Sequence, residues 1–315
     1  MSSPTPLVAI RCITYNHAPY IRQCLDGFVM QRTDFAFVAI VHDDCSTDGT
    51  DVIVREYAQR YPHIIKPIFE TENQYSKGDG SLSRIMTQAC NKTGAKYIAL
   101  CEGDDYWTDP LKLQKQVDFL ENHPECSCCV HDYLVWIQSE NQFLHYDKIR
   151  YLKDFKGNGL TKDLDDYSEL VFFTKTLTAV YRNKCLLDSK YKHYIPKFDM
   201  TMFFALATQG DIYLMNERMG VYRVNNGGVF SGPRRDRFLD ATNPYMYTLC
   251  KVERTEQSKK FVYHYIKRYV VPLFLNPCKN NLFLTFYYLG PKWGSKLLYS
   301  FIIESTNIIK HKFKG

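Results

Sequence analysis

Residues 97–109 read YIALCEGDDYWTD. The run Tyr97 to Cys101 is short and apolar, which predicts a buried strand, and it breaks off at Glu102, Asp104 and Asp105, three acids within four residues. Core packing gives no reason for them. Carboxylates this close repel one another, and at a strand end they are favourable only where a divalent cation or a set of donors neutralises them. A solvated turn leading into a helix explains part of the stretch, because Asp109 before Pro110 suits an N-cap and first helical position for Leu111 to Asn122. The other three acids then point to a metal and a diphosphate.

The chain before this stretch alternates strand and helix patterns. Leu7 to Ile13, Ala36 to Val41 and Ile64 to Phe69 are apolar runs of strand length; Pro19 to Met30, Thr50 to Tyr61 and Gly80 to Lys92 carry helical spacing between them. Such alternation predicts a Rossmann-like α/β fold, a mostly parallel sheet with helices on both faces. Ligands of such sheets bind beyond the carboxyl ends of the strands. The polar clusters Thr14, Tyr15, Asn16 and His17, then His42 to Gly49, then Glu102 to Asp105 all fall at those ends, so they should meet in one crevice.

The residue types suggest what the crevice holds. Tyr15 offers an aromatic face for a nucleobase, Asp43 and Asp44 accept from base N–H or ribose hydroxyls, and Arg84 suits a base edge or a phosphate. The acid cluster suits a hard cation bridging two phosphates. Neither G-x-G-x-x-G nor G-x-x-x-x-G-K-[ST] occurs, which counts against a dinucleotide enzyme or a P-loop NTPase.

In order and spacing, ITYNH, HDDCSTDGT and ALCEGDDYWTDPLKLQKQVDFLENHP resemble a family 2 glycosyltransferase of GT-A fold, with weaker similarity through Phe198 to Phe230. The resemblance implies transfer of a sugar from a nucleotide-sugar donor, UDP-linked by expectation, to an acceptor hydroxyl with Mg²⁺ or Mn²⁺ and inversion at the anomeric carbon. It puts Thr14, Tyr15, Asn16, Asp43, Asp44 and Arg84 on donor-binding positions, and Glu102, Asp104 and Asp105 on a D-x-D-like motif, with Asp105 the foremost metal ligand and Asp104 also facing the donor. A glycan or lipid-linked acceptor follows, in surface polysaccharide or similar glycan synthesis; no nucleic-acid partner is expected.

Further along, Ser127 to Trp136 reads as a strand. Cys126, Cys128 and Cys129 with His123 and His131 lack the paired spacing of a zinc site and suit buried thiols better. Residues 138–166 read as a long loop or weak hairpin, Leu170 to Tyr181 as a strand with Thr174, Thr176 and Thr178 at period two, and Ile212 to Met215 and Val221 to Val224 as two short strands. Asp199 heads the apolar helix Met200 to Thr208, where its own sequence context favours an N-cap. The resemblance makes it the catalytic base instead, since relatives carry an acid here. Arg223 reads equally as a diphosphate partner or a structural ion pair. Where many relatives have a histidine this chain has Asn225, a poorer metal ligand.

The 315 residues, 45% hydrophobic and 23% charged, suit an ordered protein, divided by expectation into a catalytic domain over 1–235 and a basic, aromatic-rich helical appendage over 236–315. Residues 251–315 hold twelve Lys and Arg against three Glu, a charge of +9 in a chain whose net charge is +6, which leaves −3 elsewhere. That tail suits either an anionic membrane surface or a helical cap on the catalytic domain. With no leader-like start and no long uncharged apolar run, the expected location is cytoplasmic, peripheral to the membrane at most. Two other readings stay open: a nucleotidyltransferase, disfavoured because TYNHAPY stands where its glycine-rich basic loop belongs, and a binding protein that keeps the donor fold without catalysis.

Overall fold

Continuous apolar runs become strands that are covered on both faces, as parallel sheets require. β1 (Val8–Thr14), β2 (Phe37–Asp43), β3 (Ile65–Phe69) and β4 (Tyr97–Leu100) alternate with α1 (Ile21–Val29), α2 (Thr50–Arg60) and α3 (Ser81–Lys92), and pair in parallel in the order β3-β2-β1-β4. The computed structural model of the protein describes residues 5–144, 158–169, 174–194, 199–225, 246, 248–269 and 289–299. All four residues of β4 are buried. Helix α1 buries Ile21, Cys24, Leu25 and Phe28, one face at helical spacing.

Beyond β4 the sheet is mixed. It continues β4-β9-β6-β10-β5 through β5 (Tyr106–Trp107), β6 (Cys126–Ile137), β9 (Val180–Arg182) and β10 (Asp211–Val224), with β7 (Gln142–Leu144) beside β6 and β8 (Gly159–Lys162) beside β10. Helix α4 (Lys112–Asn122) follows the acid loop, and Leu111 N donates to Asp109 Oδ1 at 2.8 Å just ahead of it. The capping role expected of Asp109 is therefore present.

Three expectations need correction. The segment with alternating threonines is not a strand at 176–178 but a 3₁₀ turn, because Thr178 returns both its N–H and its Oγ1 to the Lys175 carbonyl. Its next carbonyls are taken by side chains from outside the sheet ladder: Trp107 Nε1 donates to Leu177 O and Gln116 Nε2 to Thr178 O. The two short strands expected over 212–224 are one strand, β10, which absorbs its exposed residues Asn216, Glu217 and Arg218 as irregularities in its register with β6. Within 138–166 the weak hairpin is β6 with β7, while β8 and α5 (Leu164–Glu169) form at its end; 145–157 lie outside the described residues.

One buried group has no counterpart in the strand pattern. Lys112 is wholly buried, its Nζ 2.7 Å from Gln116 Oε1 and 4.1 Å above the Trp107 ring. Burial pulls its pKa down from 10.5 to about 7. Cys129 beside it, and Cys126 earlier in β6, have thiols pushed up to about 12 and about 11 by burial, so they pack as small protonated hydrophobes.

Contacts gather the chain into two units interleaved in sequence: Met1–Lys162 with Thr174–Ser189 and Leu206–Val224, and Asp163–Phe173 with Lys190–Ala205 and Asn225–Gly315. The expected boundary at 235 and 236 lies outside the described residues. In the second unit α5 packs on α8 (Glu256–Tyr269), with the Tyr167 and Phe204 rings 6.3 and 4.7 Å from that of Phe261. Tyr194 donates to the nearly buried Glu253, which Lys190 also reaches, and Trp293 Nε1 donates to Glu256. The described tail helices thus bury an apolar face. Among the described residues no helix is long and apolar enough to cross a membrane.

Candidate functional site

Parallel pairing sets the ends of β2, β1 and β4 side by side. Thr14 stands in register with Asp43, Asp44 N donates to Thr14 O at 2.9 Å, and Gly103 N donates to Ile13 O at 2.9 Å. The three clusters singled out in the sequence therefore meet at one end of the sheet.

The loops after β1 and β2 are stitched together. Asn16, in the left-handed region at φ 54°, accepts from Thr47 N at 2.9 Å while its own N–H donates to Ser46 Oγ. Asp48 accepts from Ala18 N, Thr50 N and Thr50 Oγ1, and His17 N donates to Thr50 Oγ1. Both Asp44 oxygens are engaged by the backbone N–H groups of Gln74 and Tyr75, at 2.7 and 3.0 Å. Asn16 and Asp44 accordingly hold loops. Asp43 is different: Oδ2 accepts from Ser46 N, but Oδ1 is buried with no hydrogen-bond partner among the described residues, as is Thr14 Oγ1. Burial raises the Asp43 pKa. Tyr15 beside them is 41% exposed, an open ring face. Arg84 is exposed and turned to Asp79, donating to its carbonyl at 2.7 Å.

The acid loop is built for charge. Asp105 is 2% exposed, and burial, then the neighbouring Asp104 charge, push its carboxyl well above the usual carboxylate range. The Arg223 N–H, 2.8 Å from Asp105 Oδ1, opposes that shift, as does the Lys175 charge. Glu102 lies 3.7 Å from Arg11, and Asp104 Oδ2 lies 4.0 Å from His17 Nε2. Gly103 lets the loop sit on β1: a Cβ there would lie 2.6 Å from Thr14 Oγ1 and 3.0 Å from His17 Nδ1. Among the described residues no three His, Cys, Asp or Glu side chains gather as a metal centre. The loop offers instead one buried carboxylate with two more beside it, hard oxygens suited to a divalent ion whose shell phosphate and water would complete.

Arg223 anchors this loop. Its Nε donates to Asp104 O at 2.7 Å and an Nη to Gln23 Oε1 at 2.8 Å, between the rings of Tyr20 and Tyr106. Neither sequence reading of Arg223 included this carbonyl contact. Also absent from the sequence-derived set is His17, whose buried Nδ1 has no hydrogen-bond partner among the described residues and whose pKa burial lowers against the pull of Asp104. Its place at the end of ITYNH was the signal. Asp199 belongs to the second unit, at the head of α7 (Asp199–Ala207), half-buried, with Met200 N donating to its Oδ1 at 2.8 Å.

This is an α/β protein whose parallel sheet ends in a polar, acid-lined crevice. The family model for glycosyl transferase family 2 matches residues 10–184, and the chain belongs to that family. An uncharacterized Mycobacterium tuberculosis (strain H37Rv) protein is 34% identical over 230 residues, 73% of this chain and 62% of the relative, so the chain spans less than two thirds of that relative's length. TuaG of Bacillus subtilis, provisionally named a teichuronic acid biosynthesis glycosyltransferase, is 23% identical over 73% of this chain and 84% of its own. Among solved structures, S. aureus TarS 1–349 in complex with UDP-GlcNAc superposes with TM-score 0.63 at 17% identity over 86% of this chain and 76% of that one. The Pyrobaculum calidifontis mannosyltransferase PcManGT, in complex with GDP-Man and Mn²⁺, gives TM-score 0.54 at 14% identity over 98% and 80%. The GT-A fold expected from the sequence is the fold observed.

Proposed function

We propose that the protein is an inverting glycosyltransferase that moves a sugar from a nucleoside-diphosphate donor, UDP-linked, to an acceptor hydroxyl in the building of a surface polysaccharide or similar glycan. The observation that carries this reading is the pair of buried, unpartnered oxygens, Thr14 Oγ1 and Asp43 Oδ1, on neighbouring strand ends where Thr14 meets the acid loop at Gly103. Unmet acceptors in a buried site are costly unless a ligand donates to them. A base or ribose would supply those donors, stacked on Tyr15, with Asn16, Asp44 and Arg84 ordering the loops around it. Asp105, with Asp104 and Glu102, would hold Mg²⁺ or Mn²⁺; bound there, the ion offsets charge on the departing diphosphate. In the transfer itself the acceptor oxygen bonds to the anomeric carbon, the bond to the diphosphate breaks with its electron pair on the phosphate oxygen, and the acceptor's proton passes to the Asp199 carboxylate.

Release of UDP or GDP from the corresponding sugar donors, with Mn²⁺ and with a chelator, tests this reading. Metal-dependent release is expected; tight binding of the bare nucleotides with no release from any donor, in the presence of polyol or glycan acceptors, would instead establish the non-catalytic binding protein. Asp199→Asn is expected to lower turnover by about 10²-fold or more with nucleotide affinity unchanged, as removal of a general base does. Unchanged turnover removes Asp199 from the mechanism.

The acceptor is proposed to be glycan or lipid-linked, met at a membrane surface. Support lies in the helical segment 289–299, where Leu289, Trp293 and Leu297 are buried while Lys292, Lys296, Leu298 and Tyr299 face outward. Co-sedimentation with phosphatidylglycerol vesicles should fall for a Lys292→Glu, Lys296→Glu variant; equal binding by that variant rejects the membrane contact.

A further inference from the structure

Lys175 precedes the 3₁₀ turn and belongs to none of the residue sets singled out in the sequence. Its backbone is fixed from several sides: its carbonyl accepts from Thr178 N and Thr178 Oγ1, while the next carbonyls of the turn are held by Trp107 and by the buried Gln116. The turn packs on β10 at Gly220, where an added Cβ would lie 2.8 Å from Leu177 Cδ1. From this base the Lys175 ammonium reaches over the Tyr222 ring, 4.6 Å from its centre. In the antiparallel register of β10 with β5, Val221 stands opposite Tyr106, so the next residue, Tyr222, comes opposite Asp105 and on its face, which sets the ammonium on the Asp105 side of β10. The same charge is felt at Asp105, where it opposes the effect of burial. No carboxylate or hydrogen-bond acceptor engages the ammonium among the described residues. The other cations near the loop are engaged, Arg11 with Glu102 and Arg223 with Asp104 O and Gln23.

A half-buried ammonium held over an aromatic face, beside acids yet paired with none, is suited to an anion that arrives with the substrate. We propose that Lys175 binds the diphosphate of the donor and takes up the charge that appears on it during transfer. This rests on the reading of the protein as a nucleotide-sugar transferase. When the bond between the anomeric carbon and the β-phosphate oxygen breaks, its electron pair goes to that oxygen, and the ammonium stabilises it without giving up a proton. Lys175 is thereby a substrate-contacting residue.

The test compares nucleoside diphosphate with monophosphate. Binding of UDP and UMP, and of GDP and GMP, is measured by calorimetry on the full chain in the presence of chelator, so that no effect passes through a metal ion. Lys175→Met is expected to weaken the diphosphate of the recognised base by about 10-fold and leave the monophosphate unchanged, the loss of one charge-assisted contact. Lys175→Arg should restore most of that affinity. Equal weakening of both nucleotides, or no weakening, overturns the role of Lys175 while leaving the functional reading intact. Where the wild-type chain binds a diphosphate only with Mn²⁺, the same comparison is made with Mn²⁺ present; a wild-type chain that binds neither diphosphate even then sinks that reading, and this inference with it. The melting temperature of each variant is read alongside, and if Lys175→Met does not fold, Lys175→Gln takes its place in the same comparison.

Discussion

The loops that close β1 and β2 and the loop that follows β4 lie at one end of one sheet, yet they are built on opposite plans. In the first pair nearly every polar group is answered from within: Asn16 by Thr47, Asp48 by Ala18 and Thr50, Asp44 by Gln74 and Tyr75. Two oxygens, Thr14 Oγ1 and Asp43 Oδ1, are left over. The acid loop instead carries two carboxylates beside a buried one whose charge burial disfavours. Hydrogen-bond saturation prepares a rigid frame with a few selective acceptors, whereas concentrated like charge prepares a place that is comfortable only with a counter-ion. Recognition and charge compensation are thus separated within one crevice.

Three substitutions test that division. Asp105→Asn is expected to have the largest effect, lowering transfer by about 10²- to 10³-fold, the range for loss of a group that stabilises developing charge. Because Asn retains the acceptor for Arg223 N–H and removes a buried like charge, its melting temperature without metal should match or exceed that of the wild type; a marked fall would make Asp105 a structural residue instead. Asp43→Asn replaces an open acceptor by a donor. It should weaken nucleotide binding by about 10-fold or more while the response of melting temperature to Mn²⁺ stays as it was. If affinity for UDP and GDP holds, the open oxygen is not where the base or ribose is read. Asp48→Ala is the mildest. It removes three hydrogen bonds from the loop frame, and stability should fall by about 1–2 kcal/mol with KM for the donor rising more than kcat drops. A change confined to kcat would place Asp48 nearer the chemistry than the division allows.

Where the sequence was legible, local pattern and tertiary demand agreed. The four parallel strands announce themselves because burial on both faces leaves only apolar residues, and the acids at Glu102, Asp104 and Asp105 stand out because nothing apolar surrounds a reason for them. The legibility ends where partners are remote. β5 is two residues long and exists through pairing with Gly220 and Val221, more than a hundred positions later. The threonines at 174, 176 and 178 mimic a strand, and only the donors of Trp107 and Gln116 reveal why the carbonyls of Leu177 and Thr178 turn away from the ladder. Tyr15 and Asp43 could be chosen from their chemistry, but not the fact that Asp44, identical in type to its neighbour, is occupied by a loop thirty residues on. Lys175 carries no signature until the turn brings it to the site, and His17 is marked only by its place at the end of ITYNH.

Lys112 carries a consequence for the whole molecule. An unfolded lysine holds its proton up to a pKa near 10.4, whereas the folded chain releases it at about 7. Through Lys112, folding near pH 8 therefore expels close to one proton, and stability should climb as pH rises from 7 toward 8, the unfolded lysine binding more; above that the buried thiols of Cys126 and Cys129, raised to about 11 and about 12, take up protons on folding and oppose it. Calorimetric unfolding enthalpies collected in phosphate and in Tris, whose ionisation heats differ, would register this proton directly. In Lys112→Met the buffer dependence should shrink, making the acid–base balance of the solution a partner in keeping this enzyme-like scaffold assembled.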